Sequence, residues 1–418
     1  MALLERTLAA SLRAAAREFP AVVVTGPRQS GKTTLLQQIV GKRGSYVSLD
    51  VPDAREHAAR DPRAFLDALV EPVVLDEVQV APELLPWVKQ RIDQARAKKG
   101  RFFLSGSQNL LLSSRVTETL AGRAAILQLL PLSRQELRGE ARRPAFWERW
   151  DGPSSTPGRS RAAATSTRRR SRLAGDLWSE LLRGEFPELA LDPKRDPARW
   201  YSSYLQTYLE RDVRTLRQIG DLVQFQTFLR LLATRSGSLL DLTSLSRDLG
   251  VAVNTCKAWL SVLEASYQVL VLRPFHANAG KRLVKSPKVY LTDTGLLCHL
   301  VGLRSAEHAE SGPMAGALYE TAVACELVKS FTHRGLQPRL SFWRTSDGHE
   351  VDFVLELEGG IVALEAKSAR TLRPDALKSL QVFRALHARD LLGAGVVHPG
   401  PALEFLGAGV ASVPFGTL

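Results

Sequence analysis

The chain has 418 residues, more than one ordinary hydrophobic core accommodates, so two or three domains are expected. Hydrophobic residues at 44% and charged residues at 24% exclude a globally disordered chain, and a formal net charge of +13 points to an acidic partner. That charge is unevenly placed, because ten arginines stand between Arg138 and Arg172 against Glu140, Glu148 and Asp151, which puts about half of the excess in one low-complexity segment.

The first twenty residues interleave charges with apolar residues and lack the apolar core of a secretory signal. No later run is long enough to span a bilayer, so the expectation is a cytoplasmic protein without a membrane partner. Cys256, Cys298 and Cys325 stand alone in apolar patterns, as reduced buried thiols do, with none of the spacings of a zinc site.

Residues 1–138 alternate short apolar runs with helical patterns, which predicts a parallel sheet of α/β type with helices on both faces. The first strand, Ala21–Val24, runs into Gly26, Pro27, Arg28, Gln29, Ser30, Gly31, Lys32 and Thr33, followed by Thr34. This is G-x-x-x-x-G-K-[ST] between a strand and a helix, the context in which backbone N–H groups surround the phosphates of a nucleotide. Lys32 would reach the terminal phosphates and Thr33 would ligate Mg2+, which makes the region a P-loop NTPase domain binding ATP or another purine nucleoside triphosphate. A second buried strand, Pro72–Leu75, closes on Asp76 and Glu77. Asp76 is assigned to the metal and Glu77 to the attacking water. A third strand ends in Ser105, Gly106 and Ser107, and Arg123 follows in Leu-Ala-Gly-Arg, either an arginine finger for a neighbouring subunit or a plain surface arginine.

Residues 139–175 are rich in Gly, Pro, Ser and Arg with little to bury, and are read as a flexible insert, either a linker or a non-specific nucleic-acid contact. Residues 176–240 are patterned as helices, including a charged face at Arg211, Arg214 and Arg217. Residues 241–312 read as two helices joined at Gly250 and two following strands, the order of a winged helix. Its second helix, Asn254–Ser266, offers one cation, Lys257, and core-like Trp259, Leu260 and Leu263. Lys281, Arg282, Lys285 and Lys288 form either a phosphate-contacting wing or a solvated loop.

Residues 313–418 open with an apolar helix and continue as strands, a separate small α/β domain. With Gly359-Gly360 as a two-residue turn, Glu358 pairs with Ile361 and Asp352 lies opposite Lys367. Glu365 shares that face, while Val351, Phe353, Leu355, Val362 and Leu364 fill the other. Asp352 and Glu365 could hold a second divalent metal while Lys367 steadies water or phosphate. The competing reading, a half-exposed hairpin with an ordinary charged face, prevails on pattern alone.

Taken together, GPRQSGKTTLL, VVLDEVQ, FFLSGSQN, LAGRAAILQLLPLSRQEL, YLQTYLERDV, KVYLTDTGLL and VDFVLELEGGIVALEAKS resemble a large prokaryotic family of AAA-type ATPases with a C-terminal domain of unknown function 4143. The resemblance covers most of the chain; the Arg/Ser-rich insert departs from it. It implies an AAA-type ATPase core, with Ser107 where such enzymes sense the γ-phosphate and Arg123 as an arginine finger for a neighbouring subunit in a homo-oligomer. It further implies a winged-helix module and a domain similar to PD-(D/E)XK nucleases, and adds Glu320 to Asp352, Glu365 and Lys367. Two activities follow as expectations: an ATPase driving a nuclease-like module on DNA or RNA, or an ATP-driven switch recognising a protein partner.

Overall fold

The structure, a computed structural model, describes residues 4–107, 119–149, 176–209, 213, 221–275, 286–369, 377–400 and 409–418. Arg211, Arg214, Arg217, Lys281, Arg282, Lys285 and most of the Arg/Ser-rich insert lie outside these.

The N-terminal sheet contains β1 (Ala21–Thr25), β2 (Ser45–Ser48), β3 (Val73–Asp76), β4 (Phe102–Gly106) and β5 (Ala124–Gln128), all parallel, in the order β2-β3-β4-β1-β5. Alternation assigns the two faces. Ala21, Val23, Leu75, Phe102 and Leu104 pack on α3 (Pro52–Arg60), α4 (Pro62–Asp67) and α5 (Leu84–Gln94). Val22, Val24, Val74 and Phe103 pack on α1 (Leu8–Glu18) and α2 (Lys32–Val40). Helices thus cover both faces, and each aliphatic side chain so enclosed contributes roughly 1.5–3 kcal/mol.

A short helix α6 (Arg134–Leu137) leads out of this domain, started by a capping box in which Ser133 and Glu136 satisfy each other's backbone N–H groups. The helices α7 (Leu177–Arg183), α8 (Pro187–Ala190), α9 (Pro197–Tyr208) and α10 (Leu222–Thr234) follow. Asp196 and Asp221 cap α9 and α10. Next come β6 (Ser238–Leu239), α11 (Leu242–Leu249), α12 (Val253–Ala265), β7 (Val269–Leu272) and β8 (Lys288–Leu291). The strands form an antiparallel sheet, β6-β8-β7, and Gly250 ends α11 in the left-handed conformation at φ 68°. Trp259, Leu260 and Leu263 are buried, as expected. Lys288 is not on an exposed wing: it is buried at the start of β8.

After α13 (Thr294–Val301) and α14 (Ala306–Ser311), the C-terminal region comprises α15 (Ala315–Thr332), β9 (Leu340–Arg344), β10 (Glu350–Leu357), β11 (Gly360–Ala366), α16 (Lys378–Leu386), β12 (Leu391–His398) and β13 (Val410–Pro414). Its sheet has the order β13-β12-β11-β10-β9, antiparallel around β10 and parallel from β11 to β13 because α16 carries the chain over between β11 and β12.

Three expectations about this region change. The turn consists of Glu358 and Gly359, so Leu357 pairs with Gly360 and Phe353 with Leu364. The register moves by two, which keeps the faces but brings Asp352 level with Glu365 instead of Lys367. Gly360 is a strand residue, and a side chain is excluded there because a Cβ would stand 2.3 Å from the Asp390 carbonyl oxygen. A bulge between Val351 and Val354 turns Val351 toward α16, away from Phe353 and Leu355, which pack on the α15 side. Both faces of the sheet are enclosed, so the charged hairpin is not half-exposed. One apolar cluster runs from Phe146 through the middle helices to Leu418.

Candidate functional site

The phosphate loop joins the C-terminal end of β1 to α2. Gly26 holds φ 148°, and a Cβ on it would lie 2.0 Å from the Leu129 carbonyl oxygen, so no other residue fits. Gly31, at φ 94°, turns the chain into α2, whose first N–H groups face the loop. Lys32 is buried and donates to the carbonyls of Gly26 at 2.9 Å and Pro27 at 2.8 Å. The Ser30 hydroxyl is buried without a hydrogen-bond partner among the described residues.

Asp76 ends β3 at the same edge of the sheet. Thr33 Oγ1 donates to its Oδ2 at 2.8 Å and Tyr46 OH to the same oxygen at 3.0 Å, while Ser105 Oγ donates to Oδ1. Burial, with Asp76 adding to it, pushes the Tyr46 phenol up to about 12, which keeps it a donor. Glu77 takes φ 57°, ψ 45°, uncommon for a residue other than glycine, and is held there by its N–H on Ser105 Oγ at 3.1 Å and by Gln79 on its carboxylate. Ser107 Oγ lies 3.4 Å from that carboxylate and 3.3 Å from Gln79 Nε2. Lys32, Thr33, Asp76, Glu77 and Ser107 therefore converge.

A hydroxyl and a carboxylate 2.8 Å apart are the hard oxygen donors Mg2+ takes from a protein when phosphates and water complete its shell. The residues fit that ion. Arg123 is elsewhere: it precedes β5 at the opposite end of the sheet and forms a two-pronged ion pair with Asp93, at 2.7 and 3.0 Å. It reaches no phosphate in its own chain. Tyr46, Gln79 and the Asp76-binding role of Ser105 escaped the sequence reading, although β3–β4 pairing of Leu75 with Leu104 puts Ser105 beside Asp76.

The loop is wired to the rest of the molecule. Arg6 donates to the carbonyls of Ser30 and Leu130, both at 2.7 Å, and pairs with Glu136 at 3.1 Å. Burial opposes ionisation of Glu136, but Arg6, His333 and the Ser133 N–H together outweigh it and hold the carboxyl well below its ordinary range. Leu130 N–H donates to His333 Nε2 at 3.2 Å, and Arg134 N–H to Glu326 at 2.9 Å. Lys329, fully enclosed, donates to Leu132 O and Glu326, each at 3.1 Å, and to Glu185. Burial works against its charge, yet Glu185 and Glu326 keep its pKa above the ordinary value. Tyr267 OH donates to Thr25 Oγ1 at 2.8 Å, at the end of β1.

In the C-terminal region Glu320, Asp352 and Glu365 come together, with Lys367 donating to Glu365 at 2.8 Å. Asp352 accepts the Ala366 N–H at 2.9 Å. Burial, with Asp352 adding to it, raises Glu320 to about 7 and Glu365 well above the usual carboxylate range. Lys288 enters this group from β8, and Tyr290 OH donates to Glu320 at 2.7 Å. Among the described residues no three His, Cys, Asp or Glu side chains are arranged to hold a metal ion, and none of the helices is long and apolar enough to cross a membrane.

A parallel sheet with β4 between the phosphate-loop strand and the acidic strand, together with the loop and its carboxylates, defines a P-loop ATPase fold. An AAA-domain profile matches residues 18–138, and two domains of unknown function, 8612 and 4143, match residues 174–307 and 315–418. The chain is 32% identical over 416 residues to the uncharacterized proteins Rv2008c of Mycobacterium tuberculosis and Mb2031c of Mycobacterium bovis, covering 98% of this chain and 83% of either relative. It belongs to their family, AAA-domain proteins with a C-terminal domain of unknown function 4143. Among solved structures it is similar to the Walker-type ATPase PABY2304 of Pyrococcus abyssi, at 14% identity and a TM-score of 0.44, over 71% of this chain and 96% of that one.

Proposed function

We propose that the protein is a Mg2+-dependent ATPase. The observation that carries this is the joint hold on Asp76 by Thr33, Tyr46 and Ser105, with Glu77 fixed beside it. Bound Mg2+ would neutralise charge on the phosphates, and Thr33 and Asp76 would hold it. Lys32 exchanges the Gly26 and Pro27 carbonyls for phosphate oxygens. Glu77 orients the attacking water, and Ser107 and Gln79 set its carboxylate. A cleft of about 610 Å3 between Gln29 and the Arg195–Thr207 stretch gives the rest of the nucleotide room beside the loop. The test is Mg2+-dependent ATP hydrolysis by wild type, Lys32→Ala and Glu77→Gln, with and without DNA. Turnover lost in both variants supports the assignment, and a wild type that binds ATP without turnover removes it.

Nucleotide state would pass from the loop through Arg6 and Tyr267 to the winged-helix and nuclease-like parts. Two downstream roles were expected, cleavage of DNA or RNA and recognition of a protein partner. The buried pairing of Lys288 with Glu320 and Asp352 favours recognition, because it uses the acidic face that metal-dependent cleavage needs. Acceleration of hydrolysis by DNA or RNA would restore the nucleic-acid reading. A protein partner retained by the ATP-loaded Glu77→Gln variant, with no salt-dependent nucleic-acid binding, supports the switch.

A further inference from the structure

We propose that the Lys288 ammonium is the resident cation of the carboxylate cluster in the C-terminal domain, filling the position a divalent metal would need. The inference rests on the nuclease-like reading of that domain and concerns what its acidic site holds. Lys288 is 2% exposed. Its Nζ stands 2.8 Å from Glu320, 2.5 Å from Glu350 and 3.3 Å from Asp352. The ammonium donates hydrogen bonds to Glu320 and Asp352 and pairs by charge with Glu350, so three carboxylates surround it.

The arrangement is built from more than one lysine. Lys288 and Tyr290 are two apart on β8 and therefore share a face, and both donate to the same Glu320 oxygen. The Phe342 ring lies over the ammonium at 5.7 Å, an apolar wall beside the charge. The carboxylates come from two elements, Glu320 from α15 and Glu350 and Asp352 from β10, while the cation comes from the preceding β6-β8-β7 sheet. The pairing thus fastens that sheet to the C-terminal domain as it neutralises the cluster. A charged lysine and a divalent cation cannot share one set of oxygens at these distances, because like charges that close repel strongly in an enclosed site.

The experiment counts bound Mn2+ on nucleotide-free full-length protein in an Asp76→Asn background, which takes the metal-holding carboxylate of the phosphate site out of the measurement. The parent should bind no Mn2+ that Asp352→Asn removes. Adding Lys288→Met should create one Mn2+ site per chain, about tenfold or more tighter than anything on the parent, lost again with Asp352→Asn. Mn2+ should also raise the unfolding temperature of the Lys288→Met protein and leave the parent unchanged. An Asp352-dependent Mn2+ site on the parent overturns the proposal, and this arm needs no change at Lys288. A folded Lys288→Met protein that gains no site overturns it as well. DNA and RNA cleavage by the Mn2+-loaded Lys288→Met protein is scored separately: metal bound without cleavage upholds the place of Lys288 and removes the nuclease reading alone.

Discussion

Asp76 shows how much one carboxylate organises here, since three hydroxyls from three separate segments meet on it. Glu77 is the residue whose loss should separate binding from chemistry. Glu77→Gln should bind ATP as the wild type does and turn it over about 10²–10⁴-fold more slowly, the usual range for a positioned base. Single-turnover hydrolysis beside an equilibrium binding measurement checks both halves. His333 carries a prediction about pH. Its Nε2 accepts the Leu130 N–H, and burial holds its pKa below the ordinary 6.5. The folded state therefore resists protonation more than the unfolded chain. Stability is fully present above pH 6.5 and declines as pH falls below it, by up to about 1.4 kcal/mol per pH unit for this one group. His333→Gln keeps an acceptor without titrating, so the wild type should lose more stability than His333→Gln between pH 7.5 and 5.5, as read from urea midpoints.

The β10–β11 hairpin illustrates at the scale of elements what a sequence can and cannot give. Gly360→Ala should cost about 1–3 kcal/mol, because its methyl would meet the Asp390 carbonyl, whereas Gly359→Asn, in open space at a turn position, should be nearly neutral. Urea denaturation of the two variants tests this. The strands themselves were legible from period-two alternation, and their register was not. Two adjacent glycines offer two turns, and the choice between them is made by Asp390, thirty residues further on. The bulge at Val351–Val354 was equally hidden, because β9 imposes it from outside the hairpin. By contrast the phosphate loop, β3 and α2 could be placed from the sequence, since local spacing fixes their chemistry. Lys288 at the head of Lys-Val-Tyr-Leu reads as any strand-edge lysine. Nothing nearby in sequence announces three carboxylates from 32 to 64 positions away.

For the whole molecule, the placement of Arg123 sets out the question of assembly. It sits at the far end of the sheet from its own loop, paired with Asp93, so any part it plays in hydrolysis falls on a second copy. Arg123→Ala should then retain ATP binding and lose turnover, and mixing it with inactive Lys32→Ala should recover part of the activity, as the Lys32→Ala chain supplies the arginine that the intact phosphate loop of its neighbour needs. Unchanged turnover in Arg123→Ala would remove the arginine from the mechanism. Within one chain, Tyr267→Phe deletes the hydroxyl that joins β1 to the middle region. It should cost about 1 kcal/mol of stability and weaken ATP-dependent protection of β7 and β8 in hydrogen exchange. The strip from Leu130 to Arg134 also bears on how the protein is made. Leu130 finds its acceptor 203 residues downstream on His333 and Arg134 finds its own 192 downstream on Glu326, while the Leu132 carbonyl finds its donor at a separation of 197. At a synthesis rate of roughly 5–20 residues per second, the ATPase domain leaves the ribosome some ten to forty seconds before the helix that completes it. Throughout that interval its exit strip is an unfinished surface, which makes the nascent N-terminal domain a natural client for a chaperone.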